Sequence, residues 1–428
     1  TKQPLIFVNI DKFKNNMGLF RRNKNTNKPV IRQILDLIPP HLLQRVTQQY
    51  QSDKGCSKYK TYDQLVALLF GQLCRCSTLE DISVGIGASK TFIGDLGLKQ
   101  SPAKSTMSDG NKKRIYKVYE SLYTNLLTYY SHLLKRHSYR QVIEEVKTQT
   151  ILLRDSSTIS VCLGLFDWAK FRTAKGGIKI HTQWNEAMMM PDLINISEAA
   201  VHDRKGFESV VFPKDTIIVE DKGYWDFKII KARVLAENNI VTRIKNNTVY
   251  EVVEELDLPE DEDQHILIDQ VIHLTGHKAK KTGIDGIKFR RVVAYHEKEN
   301  TTIEIFSNNL KWKASTIAEL YRRRWDIETF FKLLKQNLNV KTFVGTSENA
   351  VKSQIFVALI AYLLLELLRR VTAKGKTAFS NFVEKIRICL PFYLSLDYVI
   401  NNIKPVAQKA ERPPPPDNLW TPKQMTMF

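Results

Sequence analysis

Apolar positions recur at helical spacing through the first third of the chain. Val30, Ile31, Ile34, Leu35 and Ile38 line one face before Pro39-Pro40 interrupts, and residues 41–51 and 61–73 continue in the same period. Ser77-Thr78-Leu79-Glu80 has the form of a capping box opening another helix. Two short pieces, 89–96 and 105–117, are separated by Gly and Pro and suit either a helix-turn-helix or a set of small packed helices. Near Thr148 the period becomes extended, and residues 150–155 read as a buried strand ending in the carboxylate of Asp155. Further strands are expected at 159–165, 178–183, 216–219 and 240–244, with a helix at 226–237 between the last two. Four β-rich runs follow (249–256, 266–274, 287–295 and 302–306), parted by polar or Gly-containing turns, and predict an inserted antiparallel sheet. One long helix is then expected from Ser315 to about Gln336, and another at 350–370, apolar nearly all round and so buried.

These changes of period divide the chain into a basic arm and helical region (1–145), a mixed α/β part (146–247), a β-rich insertion (248–314), a second α/β part with C-terminal helices (315–403) and a Pro-rich tail (404–428). Charge adds a partner class. Sixty-four Lys and Arg oppose 45 Asp and Glu, a formal +19, and the first 60 residues alone carry 12 against 3. Such an excess points to a polyanion, nucleic acid before an anionic membrane. Five scattered cysteines make no disulfide framework, which suits a reducing cytoplasm. The longest apolar run, 355–365, is 11 residues, short of the ~20 that span a bilayer, so no membrane partner is expected. No Gly-x4-Gly-Lys-Ser/Thr loop is present to indicate an ATP-driven step.

The polar residues of the 315–336 helix converge rather than spread. At about 100° per residue, with Tyr321 at zero, Arg324 falls near 300°, Lys335 near 320°, Glu328 near 340° and Trp325 near 40°. That arc borders the apolar stripe of Leu320, Ile327, Phe330, Leu334 and Leu338, as a cleft wall would; a solvated stripe of i,i+4 ion pairs uses the same spacing. Upstream, Asp155 and Asp221 each follow an apolar strand. Two strand-end aspartates and a helical glutamate, in an α/β region of a basic chain, are the ligand set of a two-metal phosphoryl-transfer site, and hard oxygen donors suit Mg²⁺ or Mn²⁺. Arg172, Lys175, Lys179, His181, Arg243 and Lys245 are candidates for backbone phosphate contacts, with ordinary surface charge as the alternative. The acidic run 251–263 reads as a solvated edge, and Met188 to Met190 as core.

Tyr321-x2-Arg324-x3-Glu328-x6-Lys335, with Asp155 and Asp221-Lys222-Gly223-Tyr224 upstream, resembles the Tyr-Arg-Glu-Lys signature of the insertion-sequence-four family of DDE transposases, over about residues 30–370. The resemblance implies an α/β, RNase H-like catalytic domain with an inserted antiparallel β-rich region, preceded by an all-α DNA-binding region. It also implies a metal-binding catalytic triad of Asp155, Asp221 and Glu328, with Tyr321, Arg324 and Lys335 contacting DNA. The implied activity is cut-and-paste transposition, with Mg²⁺ (or Mn²⁺) as cofactor, double-stranded terminal repeats and target DNA as partners, and a homodimer on paired ends. Cleavage through a hairpin intermediate is the family's usual route to the second strand, and Trp325 is the candidate to hold the base that a hairpin displaces. The alternatives are a catalytically silent DNA-binding protein on the same fold, or a two-metal nuclease without strand transfer.

Overall fold

The computed structural model describes residues 24–403, apart from 137, 139–140, 162–165, 167, 173–174, 202, 208–209, 259–264, 297–299 and 374–376. The start of the basic arm, the tail at 404–428, the end of the acidic run and the side chains of Arg172 and Lys175 lie outside the described residues.

Seven described helices precede the first strand: α1 (Val30–Leu35), α2 (Pro40–Gln49), α3 (Thr61–Cys74), α4 (Leu79–Gly87), α5 (Lys90–Asp95), α6 (Lys104–Lys113) and α7 (Lys117–Arg136). The capping box of α4 sits one residue later than its sequence suggests. Thr78 is the cap, its hydroxyl accepting from the Asp81 amide at 3.1 Å. Asp81 outcompetes Glu80 because its shorter carboxylate accepts from the amides of both Ser77 and Thr78, each at 2.9 Å. Helices α3 and α4 meet through glycines: a Cβ on Gly71 would stand 2.7 Å from the Ile82 side chain, and one on Gly85 2.6 Å from the Phe70 ring.

The sheet holds ten described strands, in the order β4-β3-β1-β5-β6-β10-β9-β8-β7 with the short β2 (Lys170–Arg172) beside the start of β3. Strands β1 (Ile151–Val161), β5 (Ile217–Glu220) and β6 (Asn239–Arg243) are parallel, while β3 (Lys175–Asn185) and β4 (Met190–Glu198) run antiparallel on the β1 side. Helix α8 (Phe227–Leu235) is the crossover between β5 and β6. Asp155 does not end its strand, as the apolar run suggested: parallel pairing to β5 stops at Arg154 opposite Glu220, but antiparallel pairing to β3 carries β1 on to Val161. The β-rich runs form β7 (Tyr250–Glu255), β8 (Ile266–Leu274), β9 (Lys288–His296) and β10 (Thr301–Ser307). They are not a separate sheet. Phe306 of β10 pairs with Thr242 of β6, so the insertion extends the main sheet and covers an edge that β6 would otherwise expose. The short α9 (His277–Thr282) lies beside α8, where Lys231 donates to the Thr282 carbonyl at 2.8 Å.

The expected long helix is two, α10 (Ala314–Arg323) and α11 (Trp325–Asn337), and three more follow: α12 (Glu348–Ala373), α13 (Phe379–Cys389) and α14 (Leu396–Asn401). By length and composition α12 could cross a bilayer, but 94% of its most apolar stretch is buried inside the fold. It joins the N-terminal helices to the sheet: Val30, Leu69, Leu126, Trp184, Phe330 and Leu363 belong to one continuous core. A buried cluster ties its end down. Glu366 accepts from Arg369 twice and from Arg370 once, each at 2.7 Å, and Arg370 also donates to the carbonyls of Met188 (2.6 Å) and Met189 (2.9 Å) in the β3–β4 turn. Met188 and Met189 of that turn and Met190 at the start of β4 are buried in the same core.

Two stability outcomes follow from this packing. Glu366→Gln leaves two buried guanidiniums without their counter-charge and should cost about 3–5 kcal/mol, read as a lower urea midpoint; an unchanged midpoint would mean the cluster is not held by charge. Gly85→Ala gains about 1 kcal/mol of helix propensity but forces the buried Phe70 ring aside, at about 1–3 kcal/mol. The net result should be destabilising, and a midpoint at or above wild type would contradict the close approach of α3 and α4.

Candidate functional site

The site begins with two matching segments. Ile151-Leu152-Leu153-Arg154-Asp155 and Ile217-Ile218-Val219-Glu220-Asp221 lie side by side in parallel register, which sets Arg154 opposite Glu220. Side chains alternate across a strand, so the Arg154–Glu220 pair is turned to one face of the sheet and Asp155 to the other. On the reverse face the Arg154 guanidinium donates to Glu220 at 2.7 Å, both side chains are almost fully buried, and the Phe207 ring covers the guanidinium at 3.9 Å. This buried ion pair holds the two strands together just behind their aspartates.

On the front face, Asp155 and Asp221 meet α11. They line one open cavity of about 560 Å³ with Ser156, Ser157, Arg324, Glu328, Phe331, Lys332 and Lys335. Arg324 stands at the joint of α10 and α11, where the Arg324 amide donates to the Tyr321 carbonyl and the Ile327 amide to the Arg324 carbonyl, both at 3.1 Å and both tightened i→i−3 bonds. Its dihedrals stay helical (φ −54°, ψ −29°), so Glu328 and Lys335 still follow it on the cavity side. The guanidinium then bridges two acids: Nη1 donates to Asp155 Oδ2 at 2.9 Å and Nη2 reaches Glu328 Oε1 at 2.8 Å. Lys335 Nζ donates to Ser157 Oγ at 2.7 Å and to the Thr158 carbonyl at 3.1 Å. The Tyr321 hydroxyl, buried beneath, donates to Asp221 Oδ1 at a long 3.4 Å.

The electrostatics follow from burial. Desolvation pushes the Asp155 carboxyl up to about 6, against Arg324 and the Ser156 amide, which pull it down, and with Asp221 and Glu328 adding to the rise. Burial alone would lower Arg324, but Tyr321, Asp155, Glu328 and Asp221 hold it above its usual value. Burial lowers Lys335, helped by Lys341. Burial raises the Tyr321 phenol to about 12, so it stays a donor.

The structure brings Asp155, Asp221, Glu328, Arg324 and Lys335 to one cavity, with Tyr321 touching Asp221 from below. Trp325 is not among the lining residues; it sits just past the helix joint with 43% of its surface exposed. Three participants were not anticipated. Lys332 lies one turn beyond Glu328 and was legible from that spacing, Ser157 from its place two residues after Asp155, and the Arg154–Glu220 pair from its position before each aspartate. Of the suggested phosphate contacts, His181 is fully buried against Ser197, and Lys179 and Lys245 donate to the carbonyls of Val201 and Trp225.

Three carboxylates are a fitting donor set for hard divalent cations. Among the described residues, however, no three His, Cys, Asp or Glu side chains stand close enough together to form a ready metal cage, because Arg324 lies between Asp155 and Glu328.

Comparison with known proteins agrees with this chemistry. Residues 147–364 match the model of the transposase DDE domain, and residues 26–99 match a domain of unknown function, DUF4372. A protein described as a transposase of insertion sequence element IS5377, from Geobacillus stearothermophilus, is 29% identical over 57% of this chain and 63% of its own length, short of two thirds of that relative. The transposase y4zB of Sinorhizobium fredii is 29% identical over 74% of this chain and 82% of its own, and a transposase of element IS4SA from Synechocystis is 29% identical over 67% and 77%. With the DDE-domain match spanning half the chain and containing all three converging acids, the protein belongs to the DDE-domain transposases.

Proposed function

We propose that this chain is a cut-and-paste DNA transposase of the insertion-sequence-four type, acting in the cytoplasm on double-stranded DNA. It would cleave at the ends of its element and join the freed 3′-hydroxyl to target DNA. The observation that carries the reading is the convergence of Asp155, Asp221 and Glu328, from β1, the end of β5 and α11, on one cavity whose remaining charges are Arg324, Lys332 and Lys335. The parallel β1-β5-β6 core with antiparallel β3 and β4 supports an RNase H-like catalytic domain, into which β7 to β10 are inserted. We assign the other regions by the changes of period along the chain: 1–145 to recognition of the terminal repeats, 146–247 and 315–403 to catalysis, and 248–314 to the insertion.

In this reading Asp155, Asp221 and Glu328 would hold two divalent cations, Mg²⁺ or Mn²⁺, which would supply activation of the attacking oxygen and stabilisation of the leaving one. The chain's own part is positioning and charge. Arg324 and Lys335 flank the acids and hold the phosphates beside the scissile bond, Lys332 draws the strand in from the exposed rim, and Tyr321 orients Asp221 from below. Water attacks first and the 3′-hydroxyl second, so one site serves both reactions. Two copies on paired ends would bring two such sites to one target.

Replacing Asp155, Asp221 or Glu328 with Ala should lower nicking and joining by about a thousandfold or more, while end-DNA binding, which rests on phosphate contacts, stays within a few-fold. Nicking is assayed on an uncut end duplex and joining on a pre-cleaved end duplex with a plasmid target, both with Mg²⁺. Joined product identifies a transposase, cleavage without joining a nuclease, and binding alone a silent DNA-binding protein; activity retained in all three variants would overturn the triad.

The second strand is proposed to be cut through a hairpin, with Trp325 stacking on the displaced base, since stacking returns about 1–3 kcal/mol of the unstacking cost. Its exposure beside Arg324 leaves the indole accessible from solvent. Trp325→Ala should spare first-strand nicking and reduce hairpin product on a labelled end duplex. A wild-type ratio of hairpin to nick would remove Trp325 from this role.

A further inference from the structure

The bridge made by Arg324 bears on how the site is regulated. The guanidinium spans Asp155 and Glu328 at 2.9 and 2.8 Å with only 9% of its side chain exposed, so it takes up carboxylate oxygens that a divalent cation would need. A guanidinium and a dication repel each other at close range and compete for the same carboxylate oxygens. The bridge also leaves Arg324 incompletely satisfied: its Nε is buried and finds no acceptor among the described residues. A planar guanidinium fork suits a phosphate as well as a carboxylate, and two further cations, Lys332 and Lys335, line the same cavity where a strand would enter.

We propose that Arg324 is a built-in competitor for the catalytic cations, holding Asp155 and Glu328 until a DNA phosphate draws the guanidinium away, so that the carboxylates load with metal only on a bound strand. This inference rests on the assignment of Asp155, Asp221 and Glu328 as metal ligands. It adds that Arg324 exchanges one anionic partner for another, so that strand binding and metal binding are coupled. Free protein then has little metal bound and little capacity for stray nicking.

The test is Mn²⁺ binding by the full chain without DNA, followed through the electron paramagnetic resonance of free Mn²⁺, for wild type, Arg324→Gln, Arg324→Lys, Asp155→Asn and the double variant Asp155→Asn/Arg324→Gln. Circular dichroism melting reports whether each variant is folded. Arg324→Gln should bind Mn²⁺ at least about tenfold more tightly than wild type, because a cation in contact with the ligands is gone. Arg324→Lys, whose single ammonium is too compact to bridge both acids, should fall between. The gain should disappear in the double variant. If Arg324→Gln and Arg324→Lys are folded and bind no tighter than wild type, while Asp155→Asn still weakens binding, the competition is overturned and the triad stands. If Asp155→Asn changes binding in neither background, the metal lies elsewhere, and the triad assignment fails together with the competition.

Discussion

Three carboxylates drawn to one cleft repel one another, and the site can exist only where the fold supplies positive charge among them. Arg324 supplies it at the carboxylates themselves, with Lys332 and Lys335 lining the same cavity. Much else in the structure arranges this meeting. The parallel register of β1 and β5 brings Asp155, within β1, beside Asp221 at the end of β5, and the Arg154–Glu220 pair on the reverse face holds that register in the core. The tightened turn between α10 and α11 sets Arg324 in the cleft wall, one turn before Glu328.

The surrounding architecture fixes the cleft rather than leaving it on loops. Antiparallel pairing with β3 stiffens β1 beyond Asp155 as far as Val161, and Lys335 reaches that extension through Ser157 and Thr158. Helix α12, long and apolar, is spent as the axle of the core. It packs the N-terminal helices and the sheet into one hydrophobic body, and the Glu366 cluster ties its end to the β3–β4 turn. A consequence is that the helical region and the sheet share their stability.

Much of the site was legible because its signals are local and periodic. The polar arc of Tyr321, Arg324, Glu328 and Lys335 depends only on helical spacing, and each aspartate is marked by an apolar strand before it. What escaped was non-local. Which strands pair is not encoded in any one of them, so the continuation of β1 along β3 and the joining of β10 to β6 could not be read from their runs. The complementary charges before the two aspartates became meaningful only once the register set Arg154 against Glu220. A helical wheel also assumes a straight axis. The joint at Arg324 keeps the direction of Glu328 and Lys335 toward the cavity, while Trp325, immediately after it, is left largely on the surface.

The central claim is that Asp155, Asp221 and Glu328 are ligands of divalent cations. Anomalous diffraction from a crystal of the full chain soaked in millimolar Mn²⁺ addresses it most directly, since manganese is located without reference to activity. The account predicts anomalous peaks at about 2.0–2.2 Å from oxygens of these three side chains, the spacing of hard cations of this size, with the Arg324 guanidinium displaced from between Asp155 and Glu328. Manganese bound elsewhere, with Arg324 still bridging the two acids and no peak among the three, would contradict it.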